Sequence, residues 1–183
     1  MITKILRPEE MEQAYRLRHD VFVDKLKWVP GNPERLERDR YDEHSIHIGV
    51  FADKLVGYCR FIPYGKPWML TGEFDWYKGP VDPDSVELSR LALDTSAPNQ
   101  RALLATVFYG ASQHYSCKWV YAETTHRRVP VYRRMGIVFE ELDRHLYDEW
   151  AVVIKIDVQG TPWSAIKERY EHALRFKHNS ISV

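Results

Sequence analysis

At 183 residues the chain has the length of one domain and can bury roughly 70% of the surface its unfolded form exposes. Hydrophobic residues make up 44% and charged residues 28%, which excludes a disordered chain, and no apolar run approaches the roughly 20 residues of a membrane-spanning helix. Lys and Arg together number 26, as do Asp and Glu, so no net charge points to nucleic acid. The start, MITKILRPEE, is charged too early for a signal peptide. Cys59 and Cys117 make no disulfide framework and have no zinc-like spacing, so a reducing cytoplasm and no metal are expected.

In chain order, Pro8-Glu9-Glu10 reads as a first helical turn, with Pro leading and acids at the positive end of the dipole. Met11, Ala14, Tyr15, Arg18 and Phe22 follow at helical spacing, which leaves Arg18 on or beside the apolar stripe. Residues 28–44, with two prolines and many charges, read as a long surface loop of the kind that is usually functional or disordered. Residues 45–51 and 55–63 form a predicted hairpin, 64–84 an aromatic-rich connection and 86–94 a strand. A helix over about 99–115, a strand at 118–124 and a short helix at 127–136 follow, the last capped by Gly136 in the left-handed conformation. Strands at 137–142 and 149–158 and a helix at 162–176 complete the chain. This order predicts an α/β/α sandwich around a mixed, mainly antiparallel sheet, in one domain over 1–183.

The strands carry charge where a core should be. Strict alternation places Glu87, Ser89, Leu91 and Leu93 on one face, and Val86, Leu88, Arg90 and Ala92 on the other. Arg60 shares a face with Tyr58 and Ile62. If the sheet is covered on both sides, Arg60, Glu87 and Arg90 need partners, because an unpaired buried charge costs several kcal/mol. Asp39 and Asp42 in the loop and Asp20 in the first helical region are the carboxylates available to the arginines. Rimmed by Phe22, Trp28, Tyr58 and Phe74, such a cluster suits a zwitterionic ligand. An ion-pair network that only fixes the loop would leave the same pattern.

The residues LRHDVF, Trp28, ERDRYDEH, GYCRFIPYGKPWMLTGEF and VELSRLALD resemble the LuxI-type acyl-homoserine-lactone synthases, closely over roughly 15–95. The matching positions are Arg18, Phe22, Trp28, Asp39, Asp42, Arg60, Phe74, Glu87 and Arg90. The resemblance implies a GNAT-like acyltransferase fold. It also implies acylation of the amine of S-adenosylmethionine, used as substrate and not as cofactor, by acyl-carrier protein or acyl-CoA. Lactone closure then expels methylthioadenosine. In that chemistry Glu87 takes the ammonium proton, directly or through water, and Ser89 or a backbone N–H steadies the oxyanion. Arg18, Phe22, Trp28, Asp39, Asp42, Arg60, Phe74 and Arg90 hold the adenosylmethionine and organise the pocket.

Ala122 stands in the expected acyl pocket, where members making 3-oxo products tend to carry threonine. Tyr132, four residues before Gly136, resembles the tyrosine that protonates the leaving thiolate in general GNAT enzymes, or is a packed aromatic. An acyl-CoA-dependent N-acyltransferase acting on another amine is therefore the rival activity. Arg127, Arg128, Arg133 and Arg134 form either a solvated face or a dock for an acidic acyl donor. Residues 93–102 hold no phosphate-cradling glycine loop, which favours a carrier-protein donor.

Overall fold

The computed structural model of the protein describes residues 1–73, 75–97, 99–146 and 150–170. Its frame is one sheet of seven strands: β1 (Ile2–Ile5), β2 (Ile46–Phe51), β3 (Leu55–Pro63), β4 (Ser85–Leu93), β5 (Trp119–Thr125), β6 (Phe139–Leu146) and β7 (Trp150–Asp157). The strands lie in the order β1-β2-β3-β4-β5-β7-β6, and only β4 and β5 run parallel. The helices are α1 (Met11–Arg18), α2 (Gln100–His114), α3 (Val129–Met135) and α4 (163–170). The mixed, mainly antiparallel sandwich expected from the sequence is the architecture observed.

The two faces of the sheet are covered differently. On one, Cys59, Phe61, Val86, Leu88, Ala122 and Ile154 pack under α2, α3 and Ile166 of α4 in a continuous apolar core. Asn99 caps α2 by accepting the Ala102 N–H at 3.0 Å, and Gly136 ends α3 at φ 92°. On the other face two smaller apolar clusters flank a polar centre. One joins Ala14, Leu17, Val21 and Phe22 to Tyr58 and Ala92; the other joins Tyr41, Trp68, Met69 and Leu70 to Ile62, Tyr121 and Val153.

Several elements differ from the sequence reading. The edge strand β1 is absent from it, because four residues show too little alternation to stand out. After α1 the helix widens into a π-helical turn, His19–Lys25, which carries Phe22 toward the sheet. The loop expected at the surface dips inward, burying Glu37, Tyr41 and Asp42. The aromatic-rich connection is not irregular throughout: it lays a second π-helical turn, Met69–Glu73, on the sheet face. The short helix begins at Val129, so Arg127 and Arg128 stand in the turn before α3 and only Arg133 and Arg134 lie on it. Residues 171–176 of the expected last helix lie outside the described residues.

The most consequential difference is in β4. Tyr58 opposes Ala92 and Arg60 opposes Ser89, so a β-bulge adds one residue to β4 at Arg90 and Leu91. Arg90 adopts φ 52°, a left-handed conformation that disfavours a side chain. The bulge reverses the alternation beyond it. Ala92 joins Tyr58 on the α1 face, and Leu91 and Leu93 turn to the α2 core. Strict alternation had put Arg90 opposite Glu87 and Ser89; the bulge brings all three to one side.

Gly57 of β3 faces α2, where a Cβ would stand 2.8 Å from Val107 Cγ2 and 3.2 Å from Leu103 Cδ1. Gly57→Val overpacks this contact and is expected to cost roughly 1–3 kcal/mol. At this chain size calorimetry should show a Tm lowered by about 2–4 °C per kcal/mol.

Candidate active site

Arg18, Arg60 and Arg90, from α1, β3 and β4, meet Glu37, Asp39 and Asp42 from the loop. Arg18 and Arg60 are fully buried. Asp42 Oδ1 accepts from both, from Arg18 Nη1 at 2.6 Å and Arg60 Nη1 at 2.7 Å. Asp39 Oδ1 accepts from Arg60 Nη1 at 2.5 Å, while its Oδ2 lies 3.2 Å from Arg90 Nη2. Glu37 bridges the remaining pair, binding Arg18 Nε through one oxygen and Arg90 Nε at 3.0 Å through the other. Three cations thus face three anions. The arginines hold the Asp42 carboxyl below the usual range despite burial, which alone raises it. The loop is folded onto its own carboxylates as well: Asp42 Oδ2 accepts the Asp39 N–H at 2.8 Å.

Aromatic rings close the cluster. Phe22 lies under the Arg90 guanidinium at 5.4 Å, and Trp28, half exposed, stands 6.1 Å from Phe22 at the rim. Tyr58 is buried, and its hydroxyl reaches His47 Nδ1 at 2.7 Å. Ser89 Oγ accepts from Arg60 Nε at 3.0 Å, which leaves its own hydrogen available to a ligand.

Glu87 stands beside this network without joining it. It is 1% exposed and, among the described residues, forms no ion pair. Its Oε2 accepts the Leu70 N–H at 3.0 Å. Burial pushes its carboxyl up to about 7, against the lowering pull of that N–H and of the Arg60 guanidinium. Next to Glu87 the sheet opens. β4 and β5 pair only over Ser85–Leu88 and Trp119–Ala122, while β4 continues along β3 to Leu93 and β5 along β7 to Thr125. The two strands therefore part just beyond Glu87. Ala122, 4% exposed among the apolar residues under α2, sits at the end of their pairing. A buried carboxyl group with a raised pKa, an arginine–carboxylate network and an apolar floor lie beside one gap, an arrangement suited to acyl transfer onto an amine.

Comparison with known proteins decides the family. A family model described as autoinducer synthase matches residues 3–144. The chain belongs to the autoinducer synthase family. Among curated relatives of this family, the acyl-homoserine-lactone synthase of Pectobacterium parmentieri is 29% identical over 97% of this chain and 88% of its own length. That of Yersinia ruckeri is 23% identical over 75% and 70%. The CoA-dependent acyl-homoserine lactone synthase BjaI, solved with SAM and isopentyl-CoA, superposes with a TM-score of 0.75 at 25% identity, covering 89% of this chain and 82% of that one. An acyl-CoA N-acyltransferase from Pseudomonas aeruginosa superposes at 0.54 with 18% identity, over 86% of this chain and 99% of that one, and so shares the GNAT-like fold.

Within this family member the structure brings together Arg18, Asp39, Asp42, Arg60, Ser89 and Arg90, with Phe22 and Trp28 at one rim and Glu87 beside the network. Phe74 lies outside the described residues. Asp20 was expected to serve the arginines, but it is exposed and pairs with Arg35 at 2.9 Å. Glu37 takes that place; within the run ERLERD nothing in the sequence distinguishes it from its solvated neighbours. Met69 and Leu70 were missed as well, since a backbone N–H and a thioether leave no charge pattern. Tyr132 is buried against Phe108, and its hydroxyl accepts from Thr124 at 3.4 Å, as a packed aromatic does. Arg127, Arg128, Arg133 and Arg134 are exposed around α3, far along the chain from the cluster, and Arg133 pairs with Glu141. Among the described residues His19, Asp20 and Asp24 bring possible metal-ligand atoms within 4.8 Å of one another, but Arg35 already bridges the two carboxylates.

Arg60→Met leaves three carboxylates facing only Arg18 and Arg90 in a buried setting and is expected to cost about 3–5 kcal/mol. Arg35→Ala removes only exposed pairs and should cost about 0–1 kcal/mol. Chemical denaturation of the two variants side by side checks the contrast; equal losses would mean the buried network is not what stabilises the loop.

Proposed function

We propose that this acyl-homoserine-lactone synthase uses Glu87 as its general base and the Arg18–Arg60–Arg90 network to hold S-adenosylmethionine. The observation that carries the assignment is the buried, unpaired Glu87 carboxylate at the gap between β4 and β5, beside three paired arginines. The α-ammonium of adenosylmethionine cannot attack a thioester until it loses a proton. Glu87 accepts that proton, directly or through water. The freed amine adds to the thioester carbonyl, and the Ser89 hydroxyl or a main-chain N–H freed where β4 leaves β5 donates to the oxyanion. Collapse forms the amide and releases the thiol, which recovers a proton. The methionine carboxylate then displaces the sulfonium from the γ-carbon, closing the lactone and releasing methylthioadenosine. This second step needs orientation more than acid–base help. Phe22 and Trp28 supply ring faces for the sulfonium or adenine.

The acyl chain enters along Ala122 toward the apolar core under α2. An alanine there offers no hydroxyl to a 3-oxo group, so unsubstituted acyl donors are preferred. The exposed Arg127, Arg128, Arg133 and Arg134 receive the donor, and acyl-carrier proteins, being acidic, fit them. One domain over 1–183 carries the whole reaction. Free buried Cys59 and Cys117 and metabolite substrates of the cell interior are consistent with a cytoplasmic enzyme. Mass spectrometry of products from adenosylmethionine with a panel of acyl-carrier and acyl-CoA donors tests the activity. Formation of N-acyl amides of another amine, with no lactone, would refute it.

Glu87→Gln keeps shape but not basicity and should lower acylation about 10²–10⁴-fold. The base acts as carboxylate and its pKa is raised, so the parent kcat/KM should climb with pH through about 7. The glutamine variant should lose that limb. A pH–rate profile of both proteins decides the point.

Arg127→Glu with Arg134→Glu should raise the KM for an acyl-carrier donor many-fold at low salt, and leave the KM for adenosylmethionine near the parent value. Matched acyl-CoA turnover should fall much less. Equal loss with both donors would indicate a folding defect instead.

A further inference from the structure

Glu87 feels the charge of both Arg60 and Arg90, yet among the described residues it pairs with neither. Resting on the reading of Glu87 as base, we propose that Met69 is a positioning residue whose thioether stands between Glu87 and the Arg60 and Arg90 guanidiniums, keeping the base free of an ion pair. Met69 Sδ lies 2.9 Å from Arg60 Nη2 and 3.8 Å from Arg90 Nη1. Among the described residues these two nitrogens have no other hydrogen-bond partner, whereas the remaining edges of both guanidiniums are taken by Glu37, Asp39, Asp42 and Ser89. The free edges of both arginines therefore converge on a neutral sulfur.

The residue next to it holds the base. The Leu70 N–H donates to Glu87 Oε2, so one short π-helical turn places both the sulfur that occupies the arginines and the amide that fixes the carboxylate. The groups facing Glu87 are few. Arg60 approaches from β3, Arg90 from β4 itself, and the Met69 and Leu70 amides from the overlying turn. On β5, Tyr121 is its register partner, with its hydroxyl committed to Asp82 at 2.7 Å. Of these, only the arginines could neutralise the carboxylate. A thioether suits the place between them because it is bulky, flexible and uncharged, so it fills the space beside the N–H groups without supplying a counter-charge.

The chemical consequence is direct. A carboxylate paired with arginine loses about 1–3 units of pKa and becomes a poor base at neutral pH, whereas a buried unpaired one moves upward. The upward displacement of Glu87 agrees with the second case.

The test uses the full-length, ligand-free protein. The Glu87 carboxyl is titrated by carbon-13 NMR, and the pH profile of kcat/KM is measured in parallel. Met69→Ala removes the spacer, and the Glu87 titration and the acidic limb should both move down by about 1–3 pH units, with lower turnover on the neutral plateau. Met69→Leu keeps the apolar bulk and should keep the parent titration. If Met69→Ala does not fold, Met69→Val, also too short to fill the space, takes its place. An unshifted titration in a folded Met69→Ala or Met69→Val variant overturns the proposal. So does a shift in Met69→Leu as large as in Met69→Ala, since the sulfur would then act by its acceptor strength and not as a spacer. Failure of the base assignment shows separately: the acidic limb would survive in Glu87→Gln, while the NMR titration would still report whether Met69 insulates Glu87.

Discussion

Asp42 Oδ1, shared between Arg18 and Arg60, is the contact on which the rest of the structure depends. Both arginines are fully buried, and both bonds are short. Buried ions of this kind tolerate no missing member, because an unpaired charge in the interior costs more than the pair contributes. The shared oxygen therefore ties three elements into one unit: α1 through Arg18, β3 through Arg60 and the loop through Asp42 itself. Glu37 and Asp39 extend the tie to Arg90 on β4. A segment of prolines and charges with no apolar stripe of its own acquires a definite path over the sheet.

The same network is balanced. Three arginines facing three carboxylates create a polar, preorganised floor without a large net charge, and on the proposed function a zwitterionic substrate would meet both signs at once. Backbone strain contributes to this floor. The bulge at Arg90 and its left-handed conformation bring the third arginine to the side where Glu87 and Ser89 already point. Strained residues at ligand sites persist where surrounding contacts over-determine them, and here Glu37, Asp39 and the Phe22 ring hold the Arg90 side chain.

The division of the sheet into two faces sets the division of labour. The cluster and its aromatic rim occupy the face under α1 and the loop, whereas Ala122 and Leu88 look toward the apolar core under α2. The gap where β4 leaves β5 lies between these faces, with Glu87 beside it. On the proposed function, polar recognition of one substrate and apolar accommodation of the other would fall on opposite sides of one sheet.

Much of this was legible in the sequence, and for identifiable reasons. Among the described residues, period-two and helical spacing located six of the seven strands and the four α-helices, because each buries a face and the pattern records it. Arg18 at helical spacing with Ala14, and Arg60 between Tyr58 and Ile62, disclosed buried charge for the same reason. The ordered set of Arg, Asp, Phe, Trp and Glu disclosed the family. Local pattern carries no information on who pairs with whom across the fold. Asp20 and Glu37 are equally plausible partners on paper; only the path of the loop chose Glu37. The bulge that turned Arg90 is a single extra residue in the register between two strands, so no window of one strand reveals it. Met69 and the Leu70 amide act through position alone. The sequence by itself determined the fold class, the family and the kinds of charge that had to be buried. The tertiary structure decided their pairing, the side Arg90 faces and the isolation of Glu87, because those depend on distances between segments far apart in the chain.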